Sequence, residues 1–350
     1  MTKLPARHSA DRSETVGDPA SGRVDASAVS GEKTELISST LAMTRMRHAL
    51  PLVLAAMVVT SAAAQGRRFT VAMVRPDGAL VPFAAYDAGR WERAWPEADE
   101  ATNIEAIDNV PSVWRRRGGR VPDVWRVWPA SGAPGIQVQV NGVEVVEAHC
   151  QAQVALKTDL LSAKVQHPLK FGIAIDSASI PVSAVEEVHR SDAMWAAAER
   201  SALASFSHLE AAQATRDRRQ LPRETPVPVA EITALYRQMK APRSPMYFVA
   251  EKKYKTARSP QDAQCTDVTI MTGWLVPMDS GTYAVLDPKV FLTDCDAKEV
   301  RTAVPLGAFR VSNQLYWVIQ EHGYEDESYL IAELRQSRIR YPIQVNGGGC

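Results

Sequence analysis

The segment from Met43 to Arg68 constrains this chain more than any other, because it sets how much of the chain remains to fold. Arg45 and Arg47 supply positive charge. Leu50 and the run Leu52-Val53-Leu54-Ala55-Ala56-Met57-Val58-Val59 are apolar. Ala62-Ala63-Ala64 then offers the small residues that a signal peptidase reads, with Gln65 as the first mature residue. A basic start, a short apolar centre and a small-residue end make up a cleavable secretory signal. The apolar run falls short of the about 20 residues that cross a bilayer. Residues 43–64 are therefore read as a removed signal that leaves no stable transmembrane anchor. The competing readings are a buried core helix and an N-terminal membrane anchor. No Cys directly follows the apolar run, so a lipid-linked terminus has no support.

Residues 1–42 are rich in Ser, Thr, Ala, Gly, Asp and Glu and poor in large apolar side chains. Such a segment buries too little surface to offset its ordering entropy. It is read as a disordered leader, or as an artefact of start-codon choice with translation beginning at Met43 or Met46. The whole chain has 40 basic and 40 acidic residues. Removing residues 1–64 takes away seven and six of them, leaving 33 and 34 and a net charge of −1. Nucleic-acid binders carry a basic excess or patch, so no nucleic-acid partner is expected.

All four cysteines, Cys150, Cys265, Cys295 and Cys350, lie beyond the signal. An even number in an exported chain points to disulfides. Residues 266–278 and 282–293 read as two strands around Asp279-Ser280-Gly281, and Cys265 and Cys295 are equidistant from Ser280. Opposed residues of an antiparallel pair bring their Cβ atoms close, which suits a bridge. Pro288 is the weak point, since a bulge there shifts the register. Cys150 and Cys350 then pair by default, the alternative being a free or intermolecular thiol. No CxxC is present and the cysteine spacing fits no zinc pattern, so neither a metal site nor a cofactor is expected.

The fold class read from patterning is α+β: antiparallel β hairpins and a meander, with an inserted long amphipathic helix and a second, short one. Residues 65–185 form a β-rich, Trp-rich part, 186–242 a helical segment and 243–350 a C-terminal β-rich part, together one domain. Phe69 to Val74 and Ala79 to Tyr86 make a first hairpin around Pro76-Asp77-Gly78. Residues 87–134 read as loop. Ile136 to Val140 and Val143 to Val146 make a second hairpin, with Asn141-Gly142 as a type I′ turn. Strands continue from Cys150 to Leu156 and from Leu169 to Ile175. Trp195, Ala198, Ala202, Phe206, Leu209 and Ala212 recur at helical spacing, giving one long helix over 192–218 capped by Ser191. The short helix is placed at about 229–240, between proline clusters. Strands follow at 246–254, in the Cys-bearing hairpin, and at about 306–312, 314–321, 327–335 and 338–345. On the strand around Leu315, Trp317 and Ile319 the alternate residues Tyr316, Val318 and Gln320 are also largely apolar, as expected of a strand covered on both faces or of an edge near the helices.

Chemistry is sparse. The sequence holds no GxSxG, HExxH, GxGxxG, phosphate-binding GxxxxGK[ST] or calcium-loop motif. Three constellations merit weighing. Trp91, Trp95, Trp114, Trp125 and Trp128 could stack on a sugar, or could anchor an irregular segment onto a sheet. The run Arg115-Arg116-Arg117-Gly118-Gly119-Arg120 could meet an anionic surface, or be a solvated turn. Glu321-His322-Gly323-Tyr324-Glu325-Asp326-Glu327 could hold calcium or supply acid–base groups, or be an acidic turn. The leading expectation is an exported bacterial-type envelope or secreted protein with a non-catalytic binding or structural role, in the periplasm or outside the cell. The alternative is an exported hydrolase acting on carbohydrate or cell-wall material, using the tryptophans with Glu321 and Glu325. The partner expected is an envelope component or a glycan.

Overall fold

The first two strands are buried along nearly their whole length, which only a sheet covered on both faces allows. In the computed structural model, which describes residues 68–94, 121–130, 134–160, 172–256 and 264–350, β1 (Arg68–Val74) and β2 (Leu80–Asp87) form an antiparallel hairpin. Ala88 and Gly89, both with positive φ, turn the chain into β3 (Arg90–Arg93), which pairs with β2. Then come β4 (Val124–Pro129), β5 (Ile136–Ala148), β6 (Gln151–Thr158) and β7 (Gly172–Ile175). The pairing order β1-β7-β4-β5-β6-β2 returns to β1, which closes a six-stranded barrel with β3 attached outside the ring.

Alternation along the barrel strands sorts their residues into two groups. Ala72, Val74, Leu80, Trp125, Val127, Val138, Val154, Leu156 and Ala174 pack together as one core. Phe69, Val71, Met73, Val81, Phe83, Ile173 and Ile175 point the other way. A bulge where Val71 opposes Ala84 and Ala72 opposes Pro82 keeps both phases in step, because it inserts Phe83 as the extra residue.

Two further five-stranded sheets follow. After β8 (Val182–Ser183) and β9 (Val185–Glu187) come two helices, α1 (Trp195–Leu203) and α2 (Phe206–Arg216). Then β10 (Glu231–Gln238), β11 (Met246–Thr256), β12 (Gln264–Pro277) and β13 (Tyr283–Asp294) form, with β9, one sheet in the order β13-β12-β11-β10-β9. The last four strands are β14 (Thr302–Val311), β15 (Gln314–His322), β16 (Asp326–Leu334) and β17 (Ile339–Gly349). They order as β17-β16-β15-β14-β8.

This last sheet lies in the middle of the stack. Phe309, Tyr316, Val318, Tyr329, Ile331, Ile343 and Val345 pack on Phe69, Val71 and Met73 of the barrel wall. Its other face, with Ala308, Leu315, Trp317, Ile319, Leu330 and Leu334, packs on Tyr247, Val249, Val268, Ile270 and Trp274 of the second sheet. The far face of that second sheet carries Ile232, Leu235, Met246, Phe248, Met271 and Leu275, and is covered by Trp195, Ala198, Ala202 and Phe206 of the helical segment. The expectation for the Leu315 strand is explained by this arrangement: one face meets the barrel and the other meets the second sheet.

The α+β class is overturned. Strand accounts for 59% of the described residues and helix for 9%, so the protein is mostly β. Two local misreadings of helix produce the difference, and a third concerns a turn. The long helix over 192–218 is one bent helical segment in two short pieces, broken at Ala204-Ser205 and N-capped by Met194 without a side-chain bond, not by Ser191. Its buried face runs through Ala198, Ala202, Phe206, Glu210 and Ala214, while Leu209 is half-buried and Ala212 exposed. The short helix at 229–240 is strand β10. Its pairing with β11 is bulged at Thr233, so Ile232 and Leu235 face the same side three residues apart and imitate a helical step. Asn141-Gly142 does not reverse the chain. β5 runs straight through it, with a register shift between Val140 and Gly142, and the true turn is Ala148-His149-Cys150. Residues 136–139 of β5 pair with β4 and Val140 onward pair with β6, so neither half needs the other as partner.

Both cysteine pairs stand at bonding distance. Cα atoms are 5.9 Å apart for Cys265–Cys295 and 4.9 Å for Cys150–Cys350, within the usual range for a bridge. The register of β12 and β13 is symmetric about Ser280 as far as Trp274↔Leu286. It then slips by one, so that Thr272 meets Lys289 and Asp267 meets Asp294. Asp287-Pro288 makes the bulge, Asp287 adopting φ +49°. The cysteines join just beyond the last ladder pair despite the slip.

Candidate functional site

The three described tryptophans of the proposed sugar-stacking set are part of the packing. Trp91, on β3, lies among Phe69, Tyr86 and Tyr316 at centroid distances of 5.8, 5.1 and 5.3 Å, between the barrel and the middle sheet. Trp125 is 1% exposed, in the apolar core bounded by the barrel strands, and its Nε1 donates to the Pro122 carbonyl at 3.1 Å. Trp128 is half-buried, with the Arg126 guanidinium 5.9 Å from its ring centre. A Cβ on Gly135 would collide with that indole, which explains a glycine at the start of β5. Trp95 and Trp114 lie outside the described residues, as do Arg115, Arg116, Arg117, Arg120, the leader and the signal.

The two acidic candidates belong to different surroundings. Glu325 is exposed and borders a recess beside Cys350. Glu321, on β15, borders a small enclosed gap between the middle sheet and the second sheet, with Tyr247, Thr272, Asp287, Lys289 and Tyr341. Several polar contacts there join the sheets. Tyr341 donates to Asp287 at 2.8 Å and accepts from Trp274 Nε1 at 3.1 Å. Lys289 lies 3.7 Å from Glu321 and 5.2 Å from the Tyr341 ring centre. Burial raises the Tyr341 pKa. The Trp274 hydrogen bond opposes this and the Asp287 charge adds to it. Burial also raises Tyr247, against a hydrogen bond from Thr272. Both phenols stay protonated, and Tyr341 serves as a fixed donor to Asp287. The bulge at Asp287-Pro288 is what aims the Asp287 carboxylate at Tyr341.

Two buried carboxylates stand out: Glu210, which sequence reasoning missed, and Glu327, the last residue of the acidic run 321–327. Glu210, on α2, is 2% exposed and accepts three hydrogen bonds: from Lys252 Nζ at 2.8 Å, Tyr254 at 2.8 Å and Thr269 at 2.6 Å. Burial alone would lower the Lys252 pKa. The hydrogen bonds to Glu210 and Tyr254 and the Glu210 charge outweigh it and hold the ammonium above its usual value. Glu327 is likewise buried, accepting from Gln320 at 2.7 Å and Tyr329 at 2.6 Å. The available signal for Glu210 was its place four residues after Phe206 in an i, i+4 stripe.

An open recess of about 960 Å³ lies between the proline-rich segment 222–229 and the charged residues Glu231, Glu251, Lys253 and Lys255. Val227 and Val229 beside it are 69% and 78% exposed. Among the described residues no group of three or more His, Cys, Asp or Glu side chains is arranged to hold a metal ion. No helix among them is long and apolar enough to cross a membrane. No known family model, curated protein or solved structure matches the chain.

Proposed function

We propose that this chain is an exported envelope or secreted protein whose role is binding or structural. The placement of the candidate glycan-binding and acid–base groups carries the reading. Trp91 and Trp125 are held in two separate apolar cores, and Glu321 and Glu325 border different recesses. A retaining or inverting glycosidase requires two carboxyls about 5–10 Å apart across one sugar site, and stacking requires indole faces open to that site. Two sets of polar contacts tie layers to one another: Glu210 joins helix to sheet, and Asp287 and Tyr341 join sheet to sheet. Export is supported by the signal layout at 43–64, and by cysteine pairs of the kind that persist in oxidising compartments.

The test is incubation of the exported chain with isolated cell-wall glycan and with intact envelope fragments. The expected result is saturable co-sedimentation with the fragments and no release of soluble reducing sugar. Steady release of sugar that is abolished by Glu321→Gln or Glu325→Gln would overturn the proposal in favour of the hydrolase.

A further inference from the structure

The two disulfides differ in a way that assigns them different chemistry. Cys265 and Cys295 are half-buried at the end of the β12–β13 ladder, where the strands already hold the two residues near one another. Cys150 and Cys350 are both exposed, and the bridge spans 200 residues to join the β5–β6 turn of the barrel to the end of β17 in the middle sheet. Cys350 also lines an open recess of about 630 Å³ with Lys298, Arg301, Tyr324, Glu325 and Asp326. An attacking thiolate needs this kind of access to one sulfur.

Cys350 follows the last β16–β17 pair, Asp326↔Gly349. Gly347, Gly348 and Gly349 precede it, and glycine has the largest conformational freedom to regain. Gly348 has φ +126° and lies so close to the turn that a Cβ would be 2.5 Å from the Ala148 carbonyl. Besides the bridge, the tail is held by its pairing with β16 at Asn346, Gly348 and Gly349 and by three further bonds. Cys350 N donates to Glu325 O at 2.9 Å, Asn346 donates to Gln151 at 3.1 Å, and Gly348 N donates to Asn346 at 3.1 Å. Asn346, Gly349 and Cys350 form one wall of the recess.

We propose that Cys150–Cys350 is an exchange-active bridge, opened and closed by a dithiol oxidoreductase whose active-site peptide enters this recess. The partner's thiolate attacks Cys350 Sγ, the bond to Cys150 breaks, and Cys150 leaves as a thiolate that takes a proton from water. The partner's second thiolate attacks the mixed disulfide and releases Cys350. Two electrons and two protons pass from the dithiol to the bridge, and the partner is left as a disulfide. Cys265–Cys295 stays closed.

The experiment exposes the oxidised, folded chain to graded dithiol concentrations, quenches with an alkylating tag and maps the tagged cysteines. Cys150 and Cys350 are expected to be tagged together, at least about tenfold faster than Cys265 and Cys295, because exchange rates follow access. A CxxC oxidoreductase with its second Cys changed to Ser is expected to be trapped on Cys350. Hydrogen exchange of the selectively reduced chain is expected to speed up at 346–350 while 339–345 stay protected. Tagging of all four cysteines at one rate, which signals reduction through global unfolding, overturns the proposal. So does prior opening of Cys265–Cys295, or trapping on Cys150. The Cys150→Ser/Cys350→Ser variant checks the assignment: its remaining bridge must keep the slow rate.

Discussion

Replacing Lys252 by Met tests whether Glu210 holds the helical segment to the second sheet. The pair is deeply placed, with side chains 8% and 2% exposed and an N–O distance of 2.8 Å. Removing the ammonium leaves a buried carboxylate with two neutral donors, Tyr254 and Thr269. Breaking a buried pair from one side typically costs about 3–5 kcal/mol. At about 2–4 °C per kcal/mol for a domain of this size, the melting temperature should fall by roughly 6–20 °C. Glu210→Gln should act similarly, since one amide oxygen can still accept from Tyr254 and Thr269 but the amide nitrogen then faces the ammonium. The double change Glu210→Leu/Lys252→Met removes both charges and leaves two hydroxyl donors without their acceptor. It should therefore be less destabilised than the sum of Glu210→Leu and Lys252→Met, with a coupling of about 0.5–3 kcal/mol. Urea unfolding at neutral pH measures this, provided the slope of free energy against urea stays constant across the set. Additive losses, or losses that shrink sharply in high salt as a solvated surface pair's would, would refute the argument.

Three further outcomes follow from the packing. Tyr236, Tyr247, Tyr254, Tyr283, Tyr316, Tyr329 and Tyr341 all have raised pKa values, with burial the leading cause. Each keeps its proton in the fold while the unfolded chain releases it near pH 10. Stability should therefore fall as the pH rises past 10, by up to about 1.4 kcal/mol per pH unit for each such tyrosine. Phenolate absorbance should appear together with loss of the β circular dichroism signal, and stepwise titration ahead of unfolding would contradict this. Trp125→Ala should cost about 3–5 kcal/mol in urea unfolding and leave envelope binding unchanged. Cys295→Ser should cost about 2–5 kcal/mol, and an unchanged melting temperature would show that Cys265–Cys295 contributes nothing.

What the sequence made legible follows from how locally each element is specified. The Cys-bearing hairpin and the four strands after it were readable because turn residues and two-residue alternation agree there. The first hairpin was readable for the same reason. The helix at 229–240 was a misreading because a single bulge at Thr233 changes a strand's spacing from two to three, and only the partner strand β11 reveals the bulge. The Asn-Gly pair was misread because a turn signal is local, whereas β5 has a partner on each side. β3 and β4 were hidden in a Trp- and Arg-rich stretch, because Trp91 is packed only once the middle sheet is in place and Trp125 only once the barrel closes. The site was less legible still. Glu210 and Asp287 acquire their roles only from residues more than 40 positions away, and no spacing in the chain encodes those contacts.

The middle sheet also imposes an order of events. Synthesis delivers β1 and β2 early, with Phe69, Val71 and Met73 prepared to meet Phe309, Tyr316 and Ile331, which arrive more than 230 residues later. Until β14–β17 are in place, the barrel has an uncovered apolar wall and the second sheet has a bare face. Long-range closure of this kind folds slowly and exposes sticky surfaces meanwhile. The chain therefore depends on whatever shields those surfaces during its emergence, and loss of its final strands would leave two adhesive halves.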